Sequence, residues 1–204
     1  MSLNNYIAKQ FSNPIGVGGK LVSFVMNRQN HPLYEETIRL LALSDNDSVL
    51  DIGCGNGYVL KLLARQYNCK LSGIDSSASI IKTAYRKCRK YIESGVMMLS
   101  CQNVNTMSLA DNSFDKVYTI NTVYFWENLD DVMVKIRHVL KPNGLFINTL
   151  YTNETLSRFT HTQFGYKRFT AEQLRNSGSS NGFDVSTIPI MNGAAYCVLY
   201  HLNV

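Results

Sequence analysis

"SVLDIGCGNGYVL", Ser48 to Leu60, sets three glycines in five positions between two apolar runs. Glycine is costly inside a strand or a helix. The spacing therefore predicts a strand ending at Asp51-Ile52, a turn through Gly53, Gly55 and Gly57, and a helix from Tyr58. Such a turn brings bare backbone up to a ligand, while the helix behind it offers unpaired N–H donors. A turn that needed only a positive φ angle would be served by one glycine. Dinucleotides, nucleoside triphosphates and adenosyl cofactors all use loops of this kind. The triphosphate pattern G-x-x-x-x-G-K-[ST] is excluded, since no Lys-Ser or Lys-Thr follows the glycines. The dinucleotide pattern G-x-G-x-x-G would need a glycine where Tyr58 stands.

Working outward, the next strand-like run, "LSGIDSS", ends in Asp75, eighteen residues past Gly57. In a β-α-β unit that distance puts the carboxylate at the end of the neighbouring strand, beside the loop. There it can accept both hydroxyls of a ribose, although Asp after a strand also serves as a helix N-cap. The runs "SVLDI", "KLSGID", "VMMLSC", "FDKVYTIN" and "GLFINTL" alternate with segments of helical period. They are apolar on both faces, as in a parallel sheet covered by helices on each side. In "SIIKTAYRKCRKYI" the apolar positions keep helical spacing, and Lys82, Arg86 and Arg89 fall on another face, read as solvated. Pro32 suits the first turn of a helix carrying Leu33, Ile38 and Leu41. "KPNG", Lys141 to Gly144, should end a helix and lead into a strand. Thr170 and Gln173 make a capping box for a helix ending near Gly178.

The 204 residues are enough for one domain with a sizeable core, and 45% hydrophobic with 17% charged is ordinary globular composition. No run approaches the ~20 apolar residues of a membrane helix, and the first residues hold no signal-peptide core. Five cysteines without a C-x-x-C pair argue against a zinc site or disulfide framework and suit a reducing cytoplasm. A net charge of +5 permits an anionic partner without demanding one. No aromatic-basic stripe offers a platform for single-stranded nucleic acid. The expected architecture is one α/β domain over residues 32–204, preceded by an N-terminal extension over residues 1–31.

At this point the sequence resembles the class I S-adenosylmethionine (SAM)-dependent methyltransferases. "VLDIGCGNG" is similar to the family's first motif and "GID" to its second. "NVNTMSLADNSFD" is similar to a stretch of the branch that includes quinone-biosynthesis C-methyltransferases, with Asn103 where that branch usually has Asp. "VLKPNGLF", "GFDVSTI" and "AYCVLYHLN" follow in the family's order, and "NPIGVGGKLVSFVMNRQN" with "NTVYFWENLDD" resembles a bacterial subgroup of it. The resemblance implies a Rossmann-like, doubly wound, mostly parallel seven-stranded sheet whose last strand is antiparallel. It also implies SAM as methyl donor, with S-adenosylhomocysteine (SAH) as product. The cofactor residues it implies are Asp51, Gly53, Cys54, Gly55 and Gly57 in the loop, and Asp75 and Ser76 at the ribose. Asn103 and Val104 would flank the adenine, the Asn103 side chain meeting its exocyclic amine and the Val104 amide a ring nitrogen, and Asn121 would meet the methionyl amine through its backbone carbonyl. Asp51 would orient the loop and that amine.

For the acceptor the sequence offers only candidates. Asn121, Thr122, Tyr124 and Trp126 should surround the methionyl end, and Tyr124, Phe125 and Trp126 either line an aromatic pocket or pack in the core. Tyr124, His161 and Tyr166 are candidate catalytic groups; the last two lie in the polar insertion from Tyr151 to Phe169. No metal ligands are expected. The [D/N]-P-P-[Y/F] motif of certain nitrogen methyltransferases and a Pro-Cys nucleophile are both absent. This leaves a small-molecule methyl acceptor as the leading class, ahead of RNA, protein or SAM binding without turnover. Phe11 to Asn30, with Gly16, Gly18 and Gly19 as a hinge, is expected either to close over the pocket or to pack on the sheet edge.

Overall fold

The computed structural model describes residues 26–163 and 165–203. Most of the expected lid, Phe11 to Asn30, lies outside them. Helix α1 (His31–Leu41) starts with a proline in its first turn and lays Leu33, Thr37 and Leu41 against the sheet. Then follow β1 (Ser48–Ile52), α2 (Tyr58–Gln66), β2 (Lys70–Asp75), α3 (Ala78–Glu93), β3 (Met97–Cys101) and β4 (Phe114–Ile120). The second half runs α4 (Leu129–Val139), β5 (Leu140–Tyr151), a short α5 (Asn153–Ser157), α6 (Ala171–Ser180), β6 (Asp184–Ile190) and β7 (Ala195–His201).

Among the described residues the strands form one seven-stranded sheet in the order β3-β2-β1-β4-β5-β7-β6. The first five are parallel, and β7 is antiparallel to both β5 and β6. The doubly wound architecture expected from the sequence is the one observed. Burial explains the apolar character of the central strands: β1 is buried from Val49 on, and β5 from Gly144 to its end. Helix α3 buries Ala84 and Cys88 of the expected apolar face and exposes Lys82, Arg86 and Arg89, but Tyr85 of that face turns outward and Tyr91 is buried in its place.

Two local expectations change. The capping box of α6 is present, Thr170 and Gln173 bonding each other's backbone, but the helix runs past Gly178 to Ser180. Gly178 is there for packing. A Cβ on it would fall 2.5 Å from the Tyr200 ring, so its absence lets α6 lie directly on β7. "KPNG" does not itself end α4, which stops at Val139. It lies inside β5, where the pairing with β4 shifts register between Phe114 and Lys116 and Asn143 takes a φ of 61°.

The strand order reverses between β1 and β4. The chain leaves β1 toward one edge and β4 toward the other, and a crevice opens at their carboxyl ends, the usual ligand position in such sheets.

Candidate active site

A cavity of about 240 Å³ occupies that crevice. One wall is the glycine loop. Gly53 sits at φ +77° with Thr122 so close that a Cβ would overlap its side chain. Gly55 is at φ +52° and faces open space. Gly57 ends the loop as the N-cap of α2, where a Cβ would lie 3.0 Å from the Cys88 sulfur. Backbone strain, a close approach and helix packing thus account for three glycines where one would turn the chain.

Asp75 joins this wall. Its Oδ2 accepts from the Gly55 N–H at 3.1 Å and its Oδ1 from the Ser77 N–H at 2.9 Å. The side chain that caps α3 is Ser77, accepting from Ile80 N, so Asp75 is bonded to the loop and is not the helix cap. Burial raises its pKa, partly offset by those two backbone bonds.

Asp51 lies at the floor. It is 4% exposed and accepts a 2.8 Å bond from the Tyr118 hydroxyl on the neighbouring strand. Burial pushes its pKa up to about 7, against the Tyr118 bond and with help from the Asp75 charge. A carboxylate with one neutral partner in such a place is incomplete; a cationic group in the cavity would complete it.

The opposite wall is aromatic. Tyr124, Phe125, Tyr151, Phe159 and Tyr166 line it, with Leu156 and Thr162. Phe125 and Tyr166 meet edge-on at 4.8 Å, Tyr166 and Tyr124 at 5.4 Å, and Tyr151 and Phe159 edge-on at 5.6 Å. Burial raises the pKa of Tyr151 to about 12 and that of Tyr124 further. Neither hydroxyl is placed to lose its proton at neutral pH. Met26, Asn27, Gln29 and Asn30 close one side.

Of the residues singled out in the sequence, the structure brings Asp51, Gly53, Cys54, Gly55, Asp75, Asn121, Tyr124 and Tyr166 to this cavity. Gly57, Ser76, Asn103 and Val104 do not line it. Asn103 is exposed and begins the turn Val104–Thr106; its Oδ1 already accepts from Asn105 N and Asn105 Nδ2, which leaves its amide hydrogens to offer a ligand. His161 falls in the turn Thr160–Thr162, and its side chain lies outside what the structure describes. Trp126 is a correction. The turn Val123–Phe125 carries it away from the crevice, and it is buried at 2% exposure, stacked on Phe146 of β5. The aromatic trio therefore divides, Tyr124 and Phe125 to the cavity and Trp126 to the core.

Asn30, the end of the expected cover, does line the cavity, whereas sequence reading missed Tyr34, Ile80, Tyr151, Leu156 and Phe159. No motif marks them. They reach the cavity from three separate stretches, at Tyr34, at Ile80 and from Tyr151 to Phe159, which meet only in the folded chain.

The general methyltransferase domain model matches residues 50–148, the glycine loop through β5. Over 135 residues the chain is 29% identical to YdaC of Bacillus subtilis (strain 168), an uncharacterized methyltransferase, covering 66% of this chain and 72% of that protein. It is 35% identical over 107 residues to the sterol 4-C-methyltransferase strm-1 of Caenorhabditis elegans, covering 52% of this chain but 32% of that protein. The methyltransferase in complex with the Trm112 activator of Haloferax volcanii superposes with a TM-score of 0.78 at 16% identity, over 88% of this chain and 92% of that one. Residues 50–148 thus carry a methyltransferase domain, and the sheet order and glycine wall are similar to those of the class I SAM-dependent methyltransferases. The cofactor of that class is SAM, and the residues at the cavity fit it: an open glycine backbone, a rim carboxylate and a buried carboxylate wanting a cation. Among the described residues no helix is long and apolar enough to cross a membrane.

Proposed function

We propose that this chain transfers a methyl group from SAM to a small, neutral, largely apolar acceptor held against the tyrosine wall. In this reading Asp75 takes the ribose hydroxyls, with Ser76 beside it, and Gly53, Cys54 and Gly55 lie along the cofactor. Asp51 faces the methionyl ammonium, and the Asn121 carbonyl meets the same group. Asn103 donates to an adenine ring nitrogen through its amide, next to Val104, and Gly57 acts from behind by holding α2 close. SAM supplies an electrophilic methyl carbon, and the chain's task is to align the acceptor with it and keep water out.

The observation that carries the acceptor class is the make-up of the second wall. It offers ring faces and hydroxyls whose pKa values are raised, and no carboxylate among the described residues that line it. Such a wall suits an acceptor that needs no strong base, and Tyr124, Tyr166 and His161 are then positioning or lid groups. The sterol methyltransferase relative supports a lipophilic acceptor. The same reading takes residues 1–31 as a cover. At the described end of that segment Met26, Asn27, Gln29 and Asn30 line the cavity.

The test is to incubate the chain with methyl-labelled SAM and fractionated extracts: apolar small molecules, polar small molecules, RNA and protein. Label in the apolar fraction supports the proposal. Label only in RNA or protein moves the acceptor to a macromolecule. SAH binding with no labelled product in any fraction leaves a SAM-binding protein without turnover.

A further inference from the structure

Asn121 stands where β4 ends, at a φ of +58°, in the left-handed region that residues with a Cβ seldom occupy. Its side chain is tied at both ends. Its Oδ1 accepts from the Tyr124 hydroxyl at 3.1 Å, and its Nδ2 donates to Asn30 Oδ1 at 3.3 Å. That same Asn30 oxygen accepts from the Tyr151 hydroxyl at 3.0 Å. The Tyr124 hydroxyl in turn accepts from the Tyr151 backbone N–H at 2.9 Å. The bonds close into a ring through Asn30, Asn121, Tyr124 and Tyr151, and all four residues line the cavity. The Tyr34 hydroxyl beside it donates to Asn27 Oδ1 at 3.4 Å.

Asn30 enters this ring from outside the sheet. It is the residue before α1, and its position is fixed by local bonds: its N–H to the Met26 carbonyl, and its own carbonyl to the Tyr34 N–H. A single amide oxygen on the N-terminal side thus holds the ends of both β4 and β5. Without it, Tyr151 loses its side-chain partner in the ring and Asn121 loses one of its two ties, while its backbone remains in a conformation that needs holding.

We propose that Asn30 is a positioning residue for the cofactor: by pinning Asn121 in the left-handed conformation, it aims the Asn121 carbonyl at the methionyl end of the site. This rests on the SAM reading above. Asn30 contributes through Asn121, so its effect disappears when residue 121 can hold that conformation unaided. Glycine at 121 does so, having no Cβ to disfavour a positive φ.

The experiment is a double-mutant cycle on SAH affinity by calorimetry. Asn30→Ala is expected to lower affinity about tenfold in the otherwise unaltered chain, and less than about twofold in an Asn121→Gly background. Tyr151→Phe keeps the ring and removes one bond to the same oxygen; it should lower affinity about threefold, with the same loss of effect beside Asn121→Gly. Thermal unfolding without ligand checks that each variant is folded, and Tyr151→Phe carries the test if Asn30→Ala is not. Equal losses with and without Asn121→Gly would overturn the pin and leave Asn30 a general packing residue. Unaltered SAH affinity in both Asn30→Ala and Tyr151→Phe would also overturn it, with the SAM reading intact. Failure of the unmodified chain to bind SAH would remove the SAM reading and the pin together.

Discussion

On one side of the cavity Gly53, Gly55 and the Asp75 carboxylate sit within a single β-α-β unit; on the other, Tyr124, Tyr151, Phe159 and Tyr166 arrive from separate stretches of chain. The first wall is backbone and one rim carboxylate, with geometry set by left-handed glycines and by the Asp75 bond to Gly55. The second wall is side chain, with geometry set by rings packed on rings and by the amide-hydroxyl ring around Asn121. Substitutions should therefore act differently on the two. On the glycine wall a change at Gly55 is a local obstruction that meets no neighbouring residue, unlike one at Gly53 or Gly57. On the tyrosine wall, and on the core just beneath it, the same site carries both shape and stability.

The sharpest way to break this contrast is Gly55→Val. A Cβ there meets no neighbour, so the strain of a branched residue at φ +52° should stay within the loop while the side chain stands where the proposed cofactor contact is made. SAH binding should fall below detection in calorimetry while the far-ultraviolet circular dichroism stays native. Retained binding would show that the loop is not the cofactor wall. Trp126→Ala is the counterpart. Emptying the space against Phe146 should cost about 3 kcal/mol or more of stability in denaturant unfolding, with SAH affinity of the folded fraction little altered. A large loss of affinity with no loss of stability would return Trp126 to the site.

Asp75→Ala comes next, with an expected loss of about 1.5–3 kcal/mol in SAH affinity for the removal of a charged hydrogen-bonding partner. Asn103→Ala should cost less, because a neutral amide is lost. The reverse order in titration calorimetry would mean that adenine contacts outweigh the ribose contact.

Asp51 gives a pH test that separates floor from walls. Its folded pKa, about 7, is raised above the unfolded value of about 4. The stabilising contribution is therefore whole below about pH 4 and is lost as the pH rises through about 7. Without ligand, Asp51→Asn should be more stable than the unmodified protein at pH 8, on the order of 2 kcal/mol, and no more stable near pH 4. Binding has the opposite sign, because the ionised carboxylate is the partner of a cation. SAH affinity should rise from pH 6 to pH 8 and vanish from that dependence in Asp51→Asn. Calorimetry at pH 6 in buffers of different ionisation heat should register proton release. Affinity that is flat across this range would remove Asp51 from contact with the ammonium group.

The smallest expected effect concerns the cover. Trypsin cleavage at Lys20 and Arg28 should slow a few-fold when SAH is saturating. Equal rates with and without SAH would count against closure over the bound cofactor.

How much of this was legible in the sequence follows from the same contrast. Asp51, Gly53, Gly55 and Asp75 are fixed by short-range spacing, because one strand, one turn and one helix carry them to the cavity. The sheet could be read for a similar reason, since each strand and helix announces itself by local period and composition. Tyr151 and Asn30 are 121 positions apart and meet through a 3.0 Å bond. Their meeting depends on β4 and β5 being neighbours and on where α1 crosses them, which no local pattern encodes. Trp126 shows the limit from the other direction. Aromatic residues after a strand read alike, and it is the turn Val123–Phe125 that sends one to the core and its neighbours to the cavity.

The position of the strand-order reversal, between β1 and β4, has an evolutionary consequence. The glycine wall hangs from the first half of the chain and the tyrosine wall from the second. Insertions, deletions and ring-for-ring exchanges between Thr152 and Phe169, beyond the Tyr151 hydroxyl that bonds Asn30, can accumulate as neutral drift with respect to the donor. A lineage with this architecture can change what it methylates by editing one loop, while purifying selection holds the other wall still.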